Sequence, residues 1–256
     1  MTVALIYHDV VSADELDRVG FPGPTAARYK LEPGRFEAHL GALEAAGAEV
    51  GLVTSRDLPA VALTFDDGGA SAPRIAEALE ARGWRGHFFV TTGMIGQAGF
   101  LAEEAIRELA RRGHVVGSHS HSHPTYMARL TGEEIAREWR LSRDVLGEVL
   151  GEEPVHASVP GGYVSSTVVR AAAGAGYRVL MTSEPVARAH AVGGMTVLGR
   201  YAIWATTRPS TAVAYAAGRG AARARLAAGW KAKRLAKTVS PGAYEALRRA
   251  RARLAR

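Results

Sequence analysis

The 256-residue chain contains no cysteine, which excludes disulfides and thiolate metal sites. No stretch approaches the ~18–20 consecutive apolar residues of a membrane-spanning helix, and none is expected. The opening "MTVALIYHDV" lacks a basic segment and has only the short apolar run Val3 to Tyr7 before His8 and Asp9. It reads as a first strand rather than a secretion signal, so the cytoplasm is the expected location. Acids are almost missing from one end. From Arg219 to Arg256 there are 12 Lys and Arg against the single Glu245, leaving 20 against 24 before them, so the formal +7 is carried by the tail. Such a tail suits an anionic membrane surface, a nucleic acid or an acidic partner, or else a solvated face of Ala/Arg-rich helices. A nucleic acid is the least expected of these, because aromatics are few in the tail and no nucleic-acid fold is recognisable.

What is present alternates. Expected strands at Ala4–Tyr7, Val61–Phe65, His87–Val90, Val115–Ser118, His156–Val159 and Val179–Thr182 are separated by helical patterns at Arg35–Ala46, Ser71–Ala81, Ala102–Arg112, Gly132–Val149 and Ser165–Ala175. That order predicts a parallel α/β architecture. "DELDRVGFPGPTAARYK" (14–30) has no clear period and is expected to be a long loop over one mouth of the fold. The character changes near Arg208, giving a main domain over residues 1–207 and a basic Ala/Arg-rich helical extension over 208–256. In parallel α/β folds functional residues gather where strands end. His8 and Asp9, Asp66 and Asp67, the cluster "HVVGSHSHSHP" (114–124) and Pro160 all follow expected strands.

The histidines in that cluster admit two geometries. In an extended segment His119, His121 and His123 share a face, but the outer pair would lie ~13 Å apart at the ordinary strand rise, too far to bind one ion. If the strand stops at Ser118 and the chain curls into a helical turn, His119 meets His123 and His121 points elsewhere. Gly117-Ser118 and Pro124 favour the curl. The other candidate is "LTFDDGG" (63–69), where two carboxylates leave a strand end in diverging directions and Gly68 permits a sharp exit. An isolated Asp-Asp-Gly is an ordinary turn. Joined to two histidines it can supply a His-His-Asp set with open metal positions.

Taken together, "TFDDG" (64–68), "HSHSH" (119–123) and "PGG" (160–162) resemble the polysaccharide deacetylases, the NodB-homology carbohydrate esterases, over roughly Ala4 to Ile203. The resemblance pairs His119 with His123 and leaves His121 in a variable position. It implies a distorted (β/α) barrel, a divalent metal usually taken to be zinc, and removal of acetyl from N-acetylated sugars. By the same resemblance Asp67, His119 and His123 would ligate the metal and Asp66 would be the general base. An oxyanion donor would come from the backbone at Gly161 or Tyr163.

The chain departs from the family in three places. The third motif usually begins with Arg, but Ser158-Val159-Pro160 stands here, without the cation that normally positions the base. "MTSEPVA" (181–187) occupies the region of the fourth motif, D-x-x-D-W, and offers only Glu184. The final leucine-x-His motif, source of the general acid, is missing from the C-terminal half, where "VLGRYAIW" (197–204) stands. Ile6-Tyr7-His8 looks like that motif moved to the first strand, as in circularly permuted members, and would make His8 the acid. Two readings follow. One is a metal-dependent deacetylase of an acetylated sugar or polysaccharide precursor, its tail in peripheral contact with the inner membrane face. The other is a degenerate barrel that binds carbohydrate without turnover.

Overall fold

The structure, a computed structural model, describes residues 2–54, 57–162, 164–218 and 223–230. Its strands are β1 (Val3–Tyr7), β2 (Val61–Phe65), β3 (His87–Val90), β4 (Val115–Ser118), β5 (His156–Ser158), β6 (Val179–Met181), β7 (His190–Val192), β8 (Met195–Leu198) and β9 (Arg200–Ala202). Around them lie α1 (Pro24–Ala27), α2 (Pro33–Ala45), α3 (Ala72–Glu80), α4 (Glu103–Arg111), α5 (Gly132–Leu150), α6 (Ser166–Gly174) and α7 (Pro209–Ala216). Local signals set these limits. Thr131 accepts from the Glu134 N–H while Glu134 accepts from the Thr131 N–H, a reciprocal cap that starts α5, and left-handed Gly151 ends it.

The strands form one sheet in the order β7-β8-β6-β5-β4-β3-β2-β1-β9. All neighbours are parallel except β7 and β8, which form an antiparallel hairpin. Strands β8 and β9 are separated only by Gly199, yet β8 pairs with β6 and β9 pairs with β1, nearly the full width of the sheet away. One continuous segment therefore joins the two sides and closes the sheet into a distorted (β/α) barrel. Gly199 is essential to that passage: a Cβ there would stand 2.2 Å from the Glu184 carbonyl oxygen and 2.4 Å from Val186 Cγ2.

Strand alternation divides two cores. Val3, Leu5 and Tyr7 of β1 and Val61, Leu63 and Phe65 of β2 face the surrounding helices, where Tyr7, Phe36 and Phe65 pack ring against ring. Ala4, Ala62, Phe89, Val179, Met181 and Leu198 fill the barrel with Val53, which enters from the loop before β2. Two buried histidines hold this plug. His87 Nε2 accepts from the Val53 N–H (3.0 Å) and His156 Nε2–H donates to the Val53 carbonyl (2.8 Å).

Helix α7 lies beyond the expected domain boundary at 207/208, yet it packs on α2 and β1 and buries Ala212 and Tyr215 in the outer core. Residues 223–230 are helical. The rest of the expected basic extension, residues 219–222 and 231–256, lies outside the described residues.

Candidate active site

Inward-facing positions at the strand ends carry the site. Ile6 pairs with Thr64, so two residues further along His8 and Asp66 leave adjacent strands at one level. Beyond Asp66 the chain reverses through two positive-φ residues, Asp67 (φ 80) and Gly68 (φ 78). That reversal sends the two carboxylates in different directions.

Asp67 turns toward the histidines. Its Oδ1 lies 3.5 Å from His119 Nε2 and 3.4 Å from His123 Nε2. Two donors bound to one tetrahedral zinc at ~2.0–2.1 Å stand ~3.3–3.4 Å apart. Both contacts therefore have the spacing of neighbouring ligands around one ion. The three groups together form a candidate metal site. His119 Nδ1–H donates to the Ser158 carbonyl (3.1 Å), leaving Nε2 as the lone pair aimed at the site. Burial alone would raise the Asp67 pKa, but the nearby His8, His119 and His123 hold it well below the usual carboxylate range. For His123 burial lowers the pKa and Asp67 more than restores it, so the net direction is upward.

The pairing of His119 with His123 comes from an irregular reversal rather than a helical turn. Strand β4 stops at Ser118, and Ser120 (φ 64) and His123 (φ 55) both adopt left-handed backbone. Glu138 of α5 grips the curl by accepting from the N–H groups of His121 (3.0 Å) and Ser122 (2.8 Å). His121 shares a hydrogen bond with Thr92 Oγ1 (3.0 Å) instead of joining the set.

Asp66 turns the other way. Arg200 NH1 donates to its Oδ1 and NH2 to its Oδ2, both at 2.8 Å. Ser158 Oγ lies 3.2 Å from both oxygens. Burial raises the Asp66 pKa, but Arg200 and His119 outweigh it and the net shift is downward. Position 158 offers this carboxylate no cation, contrary to the family pattern, and Arg200 supplies one instead. Its signal was legible in "VLGRYAIW", where a strand that places Leu198 inward must place Arg200 inward too. Glu184 contributes its backbone here, the carbonyl accepting from the Arg200 N–H (2.9 Å).

His8 sits between these groups and an aromatic shelf. Its ring lies 4.6 Å from that of Tyr29, which stacks at 4.6 Å on Trp204. Its Nδ1 is buried and takes no hydrogen bond from the protein. Burial lowers the His8 pKa, while Asp67 and Asp66 oppose that shift. The 14–30 segment covers this mouth as expected. Lys30 Nζ anchors it by donating to the carbonyls of Leu16, Val19 and Phe21 at 2.5–2.7 Å, and the Phe21 ring packs 4.7 Å from His123. After β5, Gly161 (φ 64) makes the turn of "PGG" where a Cβ would stand 2.4 Å from the Thr125 carbonyl oxygen. Tyr163, the other expected oxyanion donor, lies outside the described residues.

The chain is similar to known proteins. The chain is 28% identical over 106 residues to a peptidoglycan-N-acetylglucosamine deacetylase of Bacillus cereus, an alignment covering 41% of this chain and 37% of that relative. The chain thus spans well under half of that relative's length. Among solved structures, the Streptococcus pyogenes deacetylase PplD in complex with acetate superposes with a TM-score of 0.67 at 22% identity, covering 82% of this chain and 95% of that one. IcaB from Ammonifex degensii gives 0.66 at 23% identity, covering 84% and 95%. These two likenesses establish the shared distorted-barrel fold. The sequence profile of polysaccharide deacetylases matches residues 54–180, from the plug loop through β6 and across all three motifs. With that match, the chain belongs to the polysaccharide deacetylase family.

Proposed function

We propose that the protein is a metal-dependent N-deacetylase that hydrolyses the acetamide of an acetylated sugar or polysaccharide precursor to acetate and a free amine. One observation carries this reading: the Asp66-Asp67 turn gives one carboxylate to two histidines and leaves the other beside them, with Asp66 Oδ2 3.9 Å from His119 Nε2. A divalent ion held by Asp67, His119 and His123, with zinc the first choice for this donor set, supplies the acidity that activates water near neutral pH and polarises a carbonyl. Asp66, whose pKa Arg200 and His119 hold down against burial, would take the proton of the attacking water. The Gly161 backbone N–H is the candidate donor to the developing oxyanion. His8 then protonates the departing amine. Burial makes its imidazolium a stronger acid than a free one while two nearby carboxylates favour that charge, a balance suited to the task. The Tyr29–Trp204 shelf beside His8 offers an aromatic face to a sugar ring.

The carbohydrate-binding alternative without turnover is not favoured, since residues suited to the base, the metal ligands and the acid stand together at one barrel mouth. Acetate release from N-acetylglucosamine oligomers and peptidoglycan fragments tests the proposal. Release should stop on chelation, return with added zinc, and be absent in Asp66→Asn. An unchanged rate after full chelation would refute it. For location we propose the cytoplasmic side, with the basic tail in salt-sensitive contact with anionic lipid at ~1 kcal/mol per basic residue close to the surface. No described helix is long and apolar enough to cross a membrane. Failure to sediment with anionic vesicles at low salt would remove the lipid contact.

A further inference from the structure

We infer that Arg200 is the positioning residue for the Asp66 carboxylate, an arginine on the barrel-closing strand that does the work position 158 cannot do in this chain. The inference rests on Asp66 being the base proposed above. It is carried by the complete use of one buried guanidinium.

Arg200 is fully buried. All five of its N–H donors are engaged. Nε donates to the Thr182 carbonyl (3.1 Å), NH1 to Thr64 Oγ1 (3.0 Å) and Asp66 Oδ1 (2.8 Å), and NH2 to Asp66 Oδ2 (2.8 Å) and Ser158 Oγ (2.6 Å). Its guanidinium also lies over the Phe89 ring at 5.6 Å. No donor is left for a substrate. Arg200 therefore acts through Asp66 and is not itself a catalytic residue. Thr64 in turn donates to the Leu5 carbonyl (2.8 Å), so the fork is tied to the backbone of β1 and to that of Thr182 just after β6. A two-point fork between fixed strands holds both the direction and the plane of the carboxylate.

Side-chain reach makes the substitution of one strand for another possible. Arg200 pairs with Ala4, which lies four residues before His8 on the neighbouring strand. Its side chain climbs inside the barrel to the strand end, through a space that a second large side chain at position 158 would occupy. The small Ser158 is itself fully buried and bonded to both Arg200 and Asp66. Residues 158 and 200 thus form a coupled pair: one arginine fits, from either strand, but not two.

The test uses Arg200→Gln, Arg200→Lys and the transposed double variant Ser158→Arg/Arg200→Ser, each compared with wild type for metal content, KM and kcat. Arg200→Gln should keep its metal and a KM within ~3-fold but lose ~10²-fold in kcat, the scale of a misplaced reacting group. Arg200→Lys keeps the charge without the fork and should recover part of that loss. The double variant should exceed Arg200→Ser alone. A kcat for both Arg200→Gln and Arg200→Lys within ~3-fold of wild type, or a rise in KM at constant kcat, would overturn the role. Crystal structures of wild type and Arg200→Lys give a readout independent of turnover: an Asp66 carboxylate rotated in the variant upholds it, and an unmoved one refutes it. Wild-type silence on every substrate would instead count against the deacetylase proposal, with the same pair of structures still deciding the question of Arg200.

Discussion

Strain in this molecule is concentrated where the chemistry is. Among the described residues the non-glycine positions with positive φ are Asp67, Ser120 and His123, all in or beside the metal set. Each such backbone costs on the order of 1–3 kcal/mol and persists only when surrounding contacts over-determine it; for Ser120 and His123, Glu138, Ser118 and Ser120 supply those contacts. Alanine at His119, His123 or Asp67 should therefore abolish stoichiometric metal binding, whereas His121→Ala should retain it. Equal metal loss in His121→Ala, read by elemental analysis, would contradict the geometry. His8→Ala should keep its metal and lose ~10²–10⁴-fold in amide hydrolysis. An activated aryl acetate, whose leaving group needs little protonation, should suffer much less. Equal losses on both substrates would remove His8 as the acid. The proposed ligands were legible because the family resemblance pairs His119 with His123 and adds Asp67, and all three follow expected strand ends. Arg200 was missed because its partner lies 134 residues away in sequence, and only closure of the barrel brings the two together.

At the scale of elements, six strands and five helices could be read because the strands are short apolar runs and the helices carry apolar periodicity closed by a glycine. The missed elements are β7, β8, β9, α7 and the single turn α1, which lies inside the segment 14–30 that was expected to be a loop. Three- and four-residue strands barely express a period of two. One local signal was nevertheless present: Gly193 (φ 57) and Gly194 (φ 80) make the two-residue turn of the β7–β8 hairpin. What no local signal could announce is that β8 and β9 belong to opposite sides of the sheet. That passage depends on Gly199, whose missing Cβ makes room for the Glu184 and Val186 backbone. Gly199→Ala should therefore destabilise by a few kcal/mol, since two carbonyls and a side chain must all move. It should also impair Asp66, because Arg200 is the next residue. A melting temperature within a degree or two of wild type, with normal turnover, would show that the closing strand tolerates displacement.

For the whole molecule, the two ends of the barrel respond to pH through different groups. At the plugged end, burial lowers the His87 pKa from 6.5 to about 3, with His156 adding to the shift. His156 is itself lowered, again chiefly by burial. Neutral His87 must accept from the Val53 N–H, and a protonated ring cannot. A folded pKa below the unfolded one means that the unfolded chain binds protons first. Stability from this pair is thus fully present above about 6.5 and is lost as pH falls from there toward about 3. For His87 alone a shift of that size amounts to at most about 5 kcal/mol, at 1.36 kcal/mol per pKa unit. Asp9 at the mouth works in the opposite sense. Burial raises its pKa from 3.8 to about 6, so its contribution is lost as pH rises through 6. Metal-free protein, studied by denaturant titration between pH 4 and 7, should lose stability on acidification despite Asp9. His87→Gln should be less stable at pH 7 yet show a flatter slope, by up to about 1 kcal/mol per pH unit. Parallel curves for wild type and variant would mean that acid sensitivity arises elsewhere, and that the clasp on Val53 opens without cost to the barrel.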